Sequence, residues 1–76
     1  MGAASTHARR RSLERHGISL NRTTSAEITA QIRAGRAKFL GATRDNADRL
    51  RYAVTTGTRR FVVIVSASSG VIVTVL

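Results

Sequence analysis

Three side chains of this sequence could transfer protons, and many arginines could bind phosphate. The histidines are His7 and His16, and the only tyrosine is Tyr52. Cleavage of RNA by its own 2′-hydroxyl needs a proton acceptor, a proton donor and cations that stabilise the phosphorane, but it needs no metal. His7, His16 and Tyr52 are therefore the candidate catalytic residues, for a metal-independent endoribonuclease.

Other chemistries have little support in the sequence. There is no Cys, so thiolate metal sites and disulfides are excluded. His7 and His16 are nine residues apart, which places them on opposite sides of a helix rather than together on a metal. The scattered glycines form no phosphate-binding loop, and the few acids form no spaced pair. We expect no metal and no cofactor.

The balance of charge points to a polyanionic partner. Lys and Arg number 13 against four Asp and Glu, for a formal charge of +9, and only Lys38 is not Arg. Arg forms planar bidentate pairs with phosphate, and a strongly positive field attracts polyanions before specific contact. A GC-rich genome would explain Arg over Lys but not the scarcity of acids. The candidate binding residues form two groups: Arg9, Arg10, Arg11 and Arg15, and then Arg49, Arg51, Arg59 and Arg60.

The apolar C-terminal segment predicts two strands rather than a membrane anchor. A membrane-spanning helix needs about 20 apolar residues, whereas Phe61 to Leu76 is shorter and is interrupted by Ser66-Ala-Ser-Ser-Gly70. β-Branched residues fill both flanks of this turn signal. We predict a hairpin of two strands that are apolar on both faces, typical of the middle of a sheet.

A third strand is predicted over residues 49–55, where apolar and basic residues alternate. Leu50, Tyr52 and Val54 would face the core, and Arg49 and Arg51 would face outward. A loop at Thr56-Gly57 would pair Tyr52 with Phe61. The outward face would then carry basic and apolar side chains that a chain this short cannot cover, which indicates a binding surface. That face is expected to hold Arg49, Arg51, Arg60, Val62, Ile64 and Thr74.

Two helices are predicted in the first half. Ser5 or Thr6 can cap the first, Gly17 can end it, and its thin apolar face would consist of Ala8 and Leu13. The second would begin at the capping box Thr24–Glu27, bury Ile28 and Ile32, and end at Gly35. Residues 36–41 read as a strand or an extended segment, with Phe39 or Leu40 docking, and residues 43–48 read as a polar loop.

These elements predict an α+β fold in a single domain spanning residues 1–76, with residues 1–6 flexible. Two N-terminal helices would pack on one face of a small, mainly antiparallel sheet of three to four strands. No signal peptide is visible, which favours the cytoplasm of a bacterial host.

The sequence resembles a group of small phage and plasmid proteins. The shared pattern comprises His7-Ala8, Arg11, Glu14-Arg15, Gly17-Ile18-Ser19 and Val73-Thr74-Val75. Those proteins are similar in layout to the RelE/ParE toxin superfamily, in which helices pack on a small antiparallel sheet. The resemblance implies mRNA cleavage on the ribosome for RelE-like members and gyrase inhibition for ParE-like members. This chain lacks the basic or aromatic residues that RelE-like nucleases carry near the C-terminus, and no charge follows Arg60.

The sequence therefore favours binding over catalysis. The first interpretation is a basic protein of phage or mobile-element origin that binds RNA, DNA or a host nucleoprotein complex through its arginines, without a membrane. One alternative is a RelE-like endoribonuclease toxin. Another is a protein-directed inhibitor of a host machine, such as an anti-defence (anti-CRISPR-like) protein. A homodimer through a sheet edge formed by residues 71–76 is a further prediction.

Overall fold

Two helices cover one face of a five-stranded sheet in the computed structural model, which describes residues 3–76. The predicted α+β class is confirmed, but the sheet has five strands rather than three to four. No helix in these residues is long and apolar enough to cross a membrane. The elements are β1 (Ala3–Ala4), α1 (Thr6–His16), α2 (Arg22–Arg33), β2 (Lys38–Thr43), β3 (Asn46–Thr56), β4 (Arg59–Ser66) and β5 (Val71–Val75).

The strand order across the sheet is β1-β5-β4-β3-β2. The pairs from β2 to β5 are antiparallel, and β1 pairs in parallel with β5, so that Ala3 lies beside Val71. This short strand falls within the segment expected to be flexible, of which Met1 and Gly2 lie outside the described residues. Because β1 pairs with Val71 and Ile72, the start of β5 is not the predicted edge, whereas no strand of the described residues pairs with 73–76 on that side. The homodimer itself stays a prediction.

Helix α1 has the predicted ends but a different buried face. The Ser5 hydroxyl accepts a hydrogen bond from the Ala8 N–H at 3.0 Å, and Gly17 ends the helix at a φ of 65°, which is accessible to glycine at little cost. Ala8 and Ser12 are fully buried, whereas Leu13 is 56% exposed. The Ser12 hydroxyl donates to the Ile18 carbonyl at 2.7 Å, so a polar residue occupies the buried position predicted for Leu13.

Helix α2 begins three residues earlier than the predicted capping box. Asn21 is the N-cap, and its side chain accepts a hydrogen bond from the Thr24 N–H at 2.9 Å. Asn21 and the predicted cap Thr24 are both favourable N-cap residues. A helix that begins after Asn21 is longer by nearly one turn. The predicted C-terminal end at Gly35 is confirmed by its φ of 74°. Ile28 is fully buried, and Ile32 packs against the core.

The core lies between the helices and the inner face of the sheet. Helix α1 packs on β5, while α2 packs on β3 and also contacts β1. Leu20 anchors the segment between the helices in this core and is 3% exposed. The strands contribute alternate residues, as a sheet with one covered face requires. The buried apolar strand residues are Val54, Phe61, Val63, Val65, Ile72 and Val75.

The β3–β4 hairpin has the predicted faces but not the predicted register. Val54, rather than Tyr52, lies opposite Phe61, and Tyr52 lies opposite Val63. The loop is Gly57-Thr58, which puts glycine at the first central position with a φ of 60°. A type II′ hairpin turn requires glycine there. The shift is two residues, so every side chain keeps its face.

The segment predicted as a polar loop over 43–48 is instead a hairpin. Strand β2 runs to Thr43, β3 begins at Asn46, and only Arg44 and Asp45 lie between them. The Thr43 hydroxyl donates to the Asn46 carbonyl at 2.9 Å, which closes the turn. The register shifts after Phe39, so β2 carries a bulge.

Candidate functional site

The outer face of the sheet is not covered by either helix. We call this surface the open face, and its members alternate with core residues along β2 to β5. The predicted basic and apolar side chains do share it. The open face contains Lys38, Arg49, Arg51, Ala53, Arg60, Val62, Ile64 and Thr74.

The open face is positively charged with an apolar centre. Val62 and Ile64, on β4, are half-buried although no helix or strand within residues 3–76 lies above them. Lys38 and Arg60 are exposed, and among residues 3–76 neither is paired with an acid. Strands β2 and β4 flank β3, so these two cations lie on either side of the arginines of β3. The result is an apolar strip beside cations that are free to bind anions.

Arg51 is held against the edge strand. Its Nη2 donates to the Leu40 carbonyl at 3.0 Å, at the bulge of β2. Its Nε is buried and has no hydrogen-bond partner among the described residues. Gly41 lies opposite Arg51 with a φ of 97°, a conformation that side-chain-bearing residues rarely adopt. This packing restrains the guanidinium over the sheet. The side chain of Arg51 therefore loses less conformational entropy when it binds an anion.

Arg49 is partly neutralised by its neighbour. Its Nη1 lies 2.9 Å from Asp48 Oδ2, and both side chains are about one third exposed, at 34% and 35%. Asp48 also accepts hydrogen bonds from the Ser66 hydroxyl at 2.7 Å and the Ser68 N–H at 2.8 Å. These bonds, led by the one from Ser66, lower the pKa of Asp48 and keep it ionised. Asp48 thus ties the β4–β5 turn to β3 and orients Arg49.

Arg59 does not belong with the other three arginines of the second predicted group. It lies opposite Thr56, one residue before Arg60, so it projects from the helix-covered side. The remaining three, Arg49, Arg51 and Arg60, share the open face. Lys38 joins them, and no outward position was assigned to it from sequence. The sequence did place Lys38 in a predicted strand. The face of the sheet from which Lys38 projects could not be predicted, because the bulge in β2 changes the alternation of faces along that strand.

The first group of arginines does not form one surface. Arg9, Arg10 and Arg11 are consecutive on α1, so they point in directions about 100° apart. Arg9, Arg10 and Arg15 are exposed and Arg11 is half-buried, and Arg9 also lines a groove beside Ala4 and Arg22. Because α1 packs on the inner face of the sheet, these arginines lie on the other side of the molecule from the open face.

The three candidate catalytic residues are not brought together. His7 is exposed near the start of α1, about 13 Å along the helix from His16. The His16 ring packs on Phe61 with centroids 5.0 Å apart, and its Nε2 lies 2.7 Å from the Leu76 carbonyl oxygen. Tyr52 lies on the inner face beside Phe39. No hydrogen bond within residues 3–76 joins any two of them.

Within the described residues, no three His, Asp or Glu side chains are grouped so that they could hold a metal ion. The arrangement that the fold does assemble is a set of cations around an apolar strip, which is suited to binding anions. Comparisons of the chain with models of known families, with curated proteins and with solved structures found no match.

Proposed function

We propose that this chain is a small nucleic-acid-binding protein of phage or mobile-element origin, acting in the bacterial cytoplasm, and that it contacts phosphates with its open face. The observation that carries the proposal is the presence of four cations on that one face. The four are Lys38, Arg49, Arg51 and Arg60.

The charge of the whole chain supports a polyanionic partner. A net charge of +9 on 76 residues gives a strong positive field, which raises the rate of encounter with RNA or DNA. On the open face, Arg49 alone has an acidic partner among the described residues. Arg51 is already positioned, but its Nε is buried and its Nη2 donates to the Leu40 carbonyl, so only part of its guanidinium can reach a phosphate. Phosphate contacts should therefore dominate the affinity.

The resemblance in layout to the RelE/ParE superfamily is compatible with this proposal, because RelE-like members act on mRNA. The separation of His7, His16 and Tyr52 favours a binding role over the RelE-like endoribonuclease. A nuclease role would make expression toxic, and substitution of Arg51, Arg59, Arg60 or a histidine would relieve that toxicity. Harmless expression at a verified protein level would count against the nuclease.

Binding as a function of salt tests the proposal directly. We expect the logarithm of the association constant to fall linearly with the logarithm of salt concentration. The slope should be about 0.9 per phosphate neutralised on duplex DNA and about 0.7 on single strands. Fluorescence anisotropy of labelled RNA and DNA oligonucleotides at several salt concentrations measures this slope. A flat response, or no binding at low salt, would contradict the proposal.

A second candidate function is favoured by one observation, the apolar centre of the open face. Val62 and Ile64 are more apolar than phosphate recognition requires, and an apolar patch with a polar rim is typical of protein interfaces. The chain would then inhibit a host machine, in the manner of an anti-defence protein, by docking on an acidic surface. Capture of one host complex from nuclease-treated lysate, with little affinity for free nucleic acid, would support this function against the first.

A further inference from the structure

An exposed aromatic side chain lies on the inner face of the sheet, beyond the area that the helices cover. Phe39 is 55% exposed, so of the two residues expected to dock, Phe39 or Leu40, it is not the one that does. The chain has only two Phe and one Tyr and no Trp. Phe61 is buried, so the other two aromatic residues are the ones that lie near the surface. Strand β2 packs chiefly against β3, which leaves this corner of the sheet uncovered.

Phe39 and Tyr52 form a pair on adjacent strands. They are directly opposite each other in the β2–β3 register, and their ring centroids are 5.3 Å apart with an angle of 49° between the ring planes. Tyr52 also packs against the core, which fixes the pair in place. A cross-strand aromatic contact limits ring motion before any ligand arrives. The exposed part of Phe39 is therefore a preorganised apolar surface.

Tyr52 also lines a cleft beside α2, to which Phe39 does not contribute. Its volume is about 180 Å³, and its walls include Leu50, Ile32 and Arg33. None of its lining residues is acidic. Tyr52 is common to the cleft and the aromatic pair, and an aromatic platform on a positively charged protein can bind nucleobases because every base has a face that stacks.

The platform is also close to the cations of the open face. Lys38 and Phe39 are consecutive on the edge strand β2, so they project to opposite faces of the sheet. Because β2 is the last strand of the sheet that residues 3–76 form, a flexible nucleic-acid strand can pass around this edge, with phosphates near Lys38 and a base on Phe39. A duplex cannot do so, because its base faces are already stacked.

We propose that the Phe39–Tyr52 pair stacks an unpaired base and gives this protein a preference for single-stranded over double-stranded nucleic acid. This inference rests on the proposed nucleic-acid binding and specifies its substrate. The occupant is a nucleobase rather than an apolar peptide side chain, because the positive charge of the protein and the Arg33 wall match a polyanion.

Nuclear magnetic resonance of the full chain tests the inference at the ring itself. Oligothymidylate is added to the protein, and an abasic strand of the same length supplies the same phosphates without bases. We expect the ring protons of Phe39 and Tyr52 to move upfield with oligothymidylate and to stay in place with the abasic strand. Rings that move equally with both strands, or with neither while oligothymidylate binds, would overturn the inference.

Substitution of Phe39 provides the affinity measurement. Phe39→Leu keeps an apolar side chain at an exposed position, so we expect the fold to persist, and a thermal melt checks this. Affinity for oligothymidylate should fall roughly tenfold, near the lower end of the range for one base–aromatic stack. Affinity for the abasic strand and a matched duplex should not change. Leu13→Ala, which removes an exposed apolar side chain on α1, is the control and should leave all three affinities unchanged.

The remaining outcomes separate the two proposals. If the abasic strand, the duplex and oligothymidylate bind equally well and Phe39→Leu has no effect, the base platform is wrong but phosphate binding stands. If none of the three binds at low salt, the proposed function fails and the platform with it. If an acidic peptide containing a phenylalanine moves the Phe39 ring and oligothymidylate does not, the cleft is a peptide site, which also overturns the inference.

Discussion

The side chain of Gln31 forms two reciprocal hydrogen bonds with the backbone of Thr55. Its amide nitrogen donates to the Thr55 carbonyl, and its Oε1 accepts from the Thr55 N–H at 3.1 Å. Strand β2 begins at Lys38, opposite Ala53, so Thr55 has no strand partner on that side. The Gln31 carboxamide takes the place of a backbone peptide and joins the C-terminal part of α2 to the end of β3.

Loss of this link should destabilise the fold. We expect Gln31→Ala to lower the free energy of unfolding by about 1 kcal/mol, the net value of one to two partly exposed hydrogen bonds. Gln31→Glu should also be destabilising, because a carboxylate cannot donate to the Thr55 carbonyl. Urea unfolding followed by circular dichroism measures both. Glu27→Ala, an exposed change on the same helix, is the control, and equal effects from it and Gln31→Ala would refute the role of the link.

Acid should weaken the β4–β5 turn through Asp48. The hydrogen bonds from Ser66 and Ser68 hold the pKa of Asp48 below its ordinary value of 3.8. A carboxyl group whose pKa is lower in the folded state stabilises the fold above its unfolded pKa, and this contribution is lost as the pH falls through the folded pKa. We expect Asp48→Asn to be less stable than the parent chain at pH 7, with a difference that shrinks below about pH 4.

Thermal melts of the two proteins between pH 7 and pH 2 measure this difference. Asp45→Asn, in the neighbouring turn, is the matched control, since it removes the same charge without the serine contacts. A stability difference between Asp48→Asn and the parent that does not change with pH would show that the carboxylate charge is not what holds the turn.

The end of α1 depends on the positive φ of Gly17. Nothing lies within 4 Å of a Cβ added there, so substitution causes backbone strain without a clash. We expect Gly17→Ala to destabilise by about 1–2 kcal/mol. Gly17→Asn should cost less, because asparagine tolerates the left-handed region. Equilibrium unfolding of the two variants tests this order, and an alanine variant as stable as the parent would contradict it.

The parts of this fold that the sequence could predict are those set by local patterns. Ser5 and Gly17 mark the ends of α1, and the alternation of Arg49 and Arg51 with Leu50 and Tyr52 indicates the two faces of β3. Period-two alternation fixes faces but not register, which is why the β3–β4 pairing was predicted two residues away. The deciding feature was the position of Gly57 within its turn.

The parts that could not be predicted depend on tertiary contacts. Ala3 and Ala4 have no strand pattern of their own, and their pairing with β5 depends on the position of α1. The exposure of Phe39 depends on how far α2 extends over the sheet. The periodicity of apolar residues in the sequence does not predict that extent. Leu13 was predicted to be buried, but Ser12 occupies the buried position instead. Its hydroxyl can be buried there because it donates a hydrogen bond to the Ile18 carbonyl.

The central claim is that the open face, rather than net charge alone, binds nucleic acid. The most direct measurement compares two double variants with the same net charge, Lys38→Gln with Arg60→Gln on the open face, and Arg10→Gln with Arg15→Gln on α1. All four residues are exposed. Anisotropy titrations over a range of salt concentrations give the affinity and the salt slope of each protein. We predict that the open-face pair loses affinity and that its slope falls by about 0.7–0.9 per cation removed, while the α1 pair keeps the parent slope. Equal losses from the two pairs, or a larger loss from the α1 pair, would contradict the account.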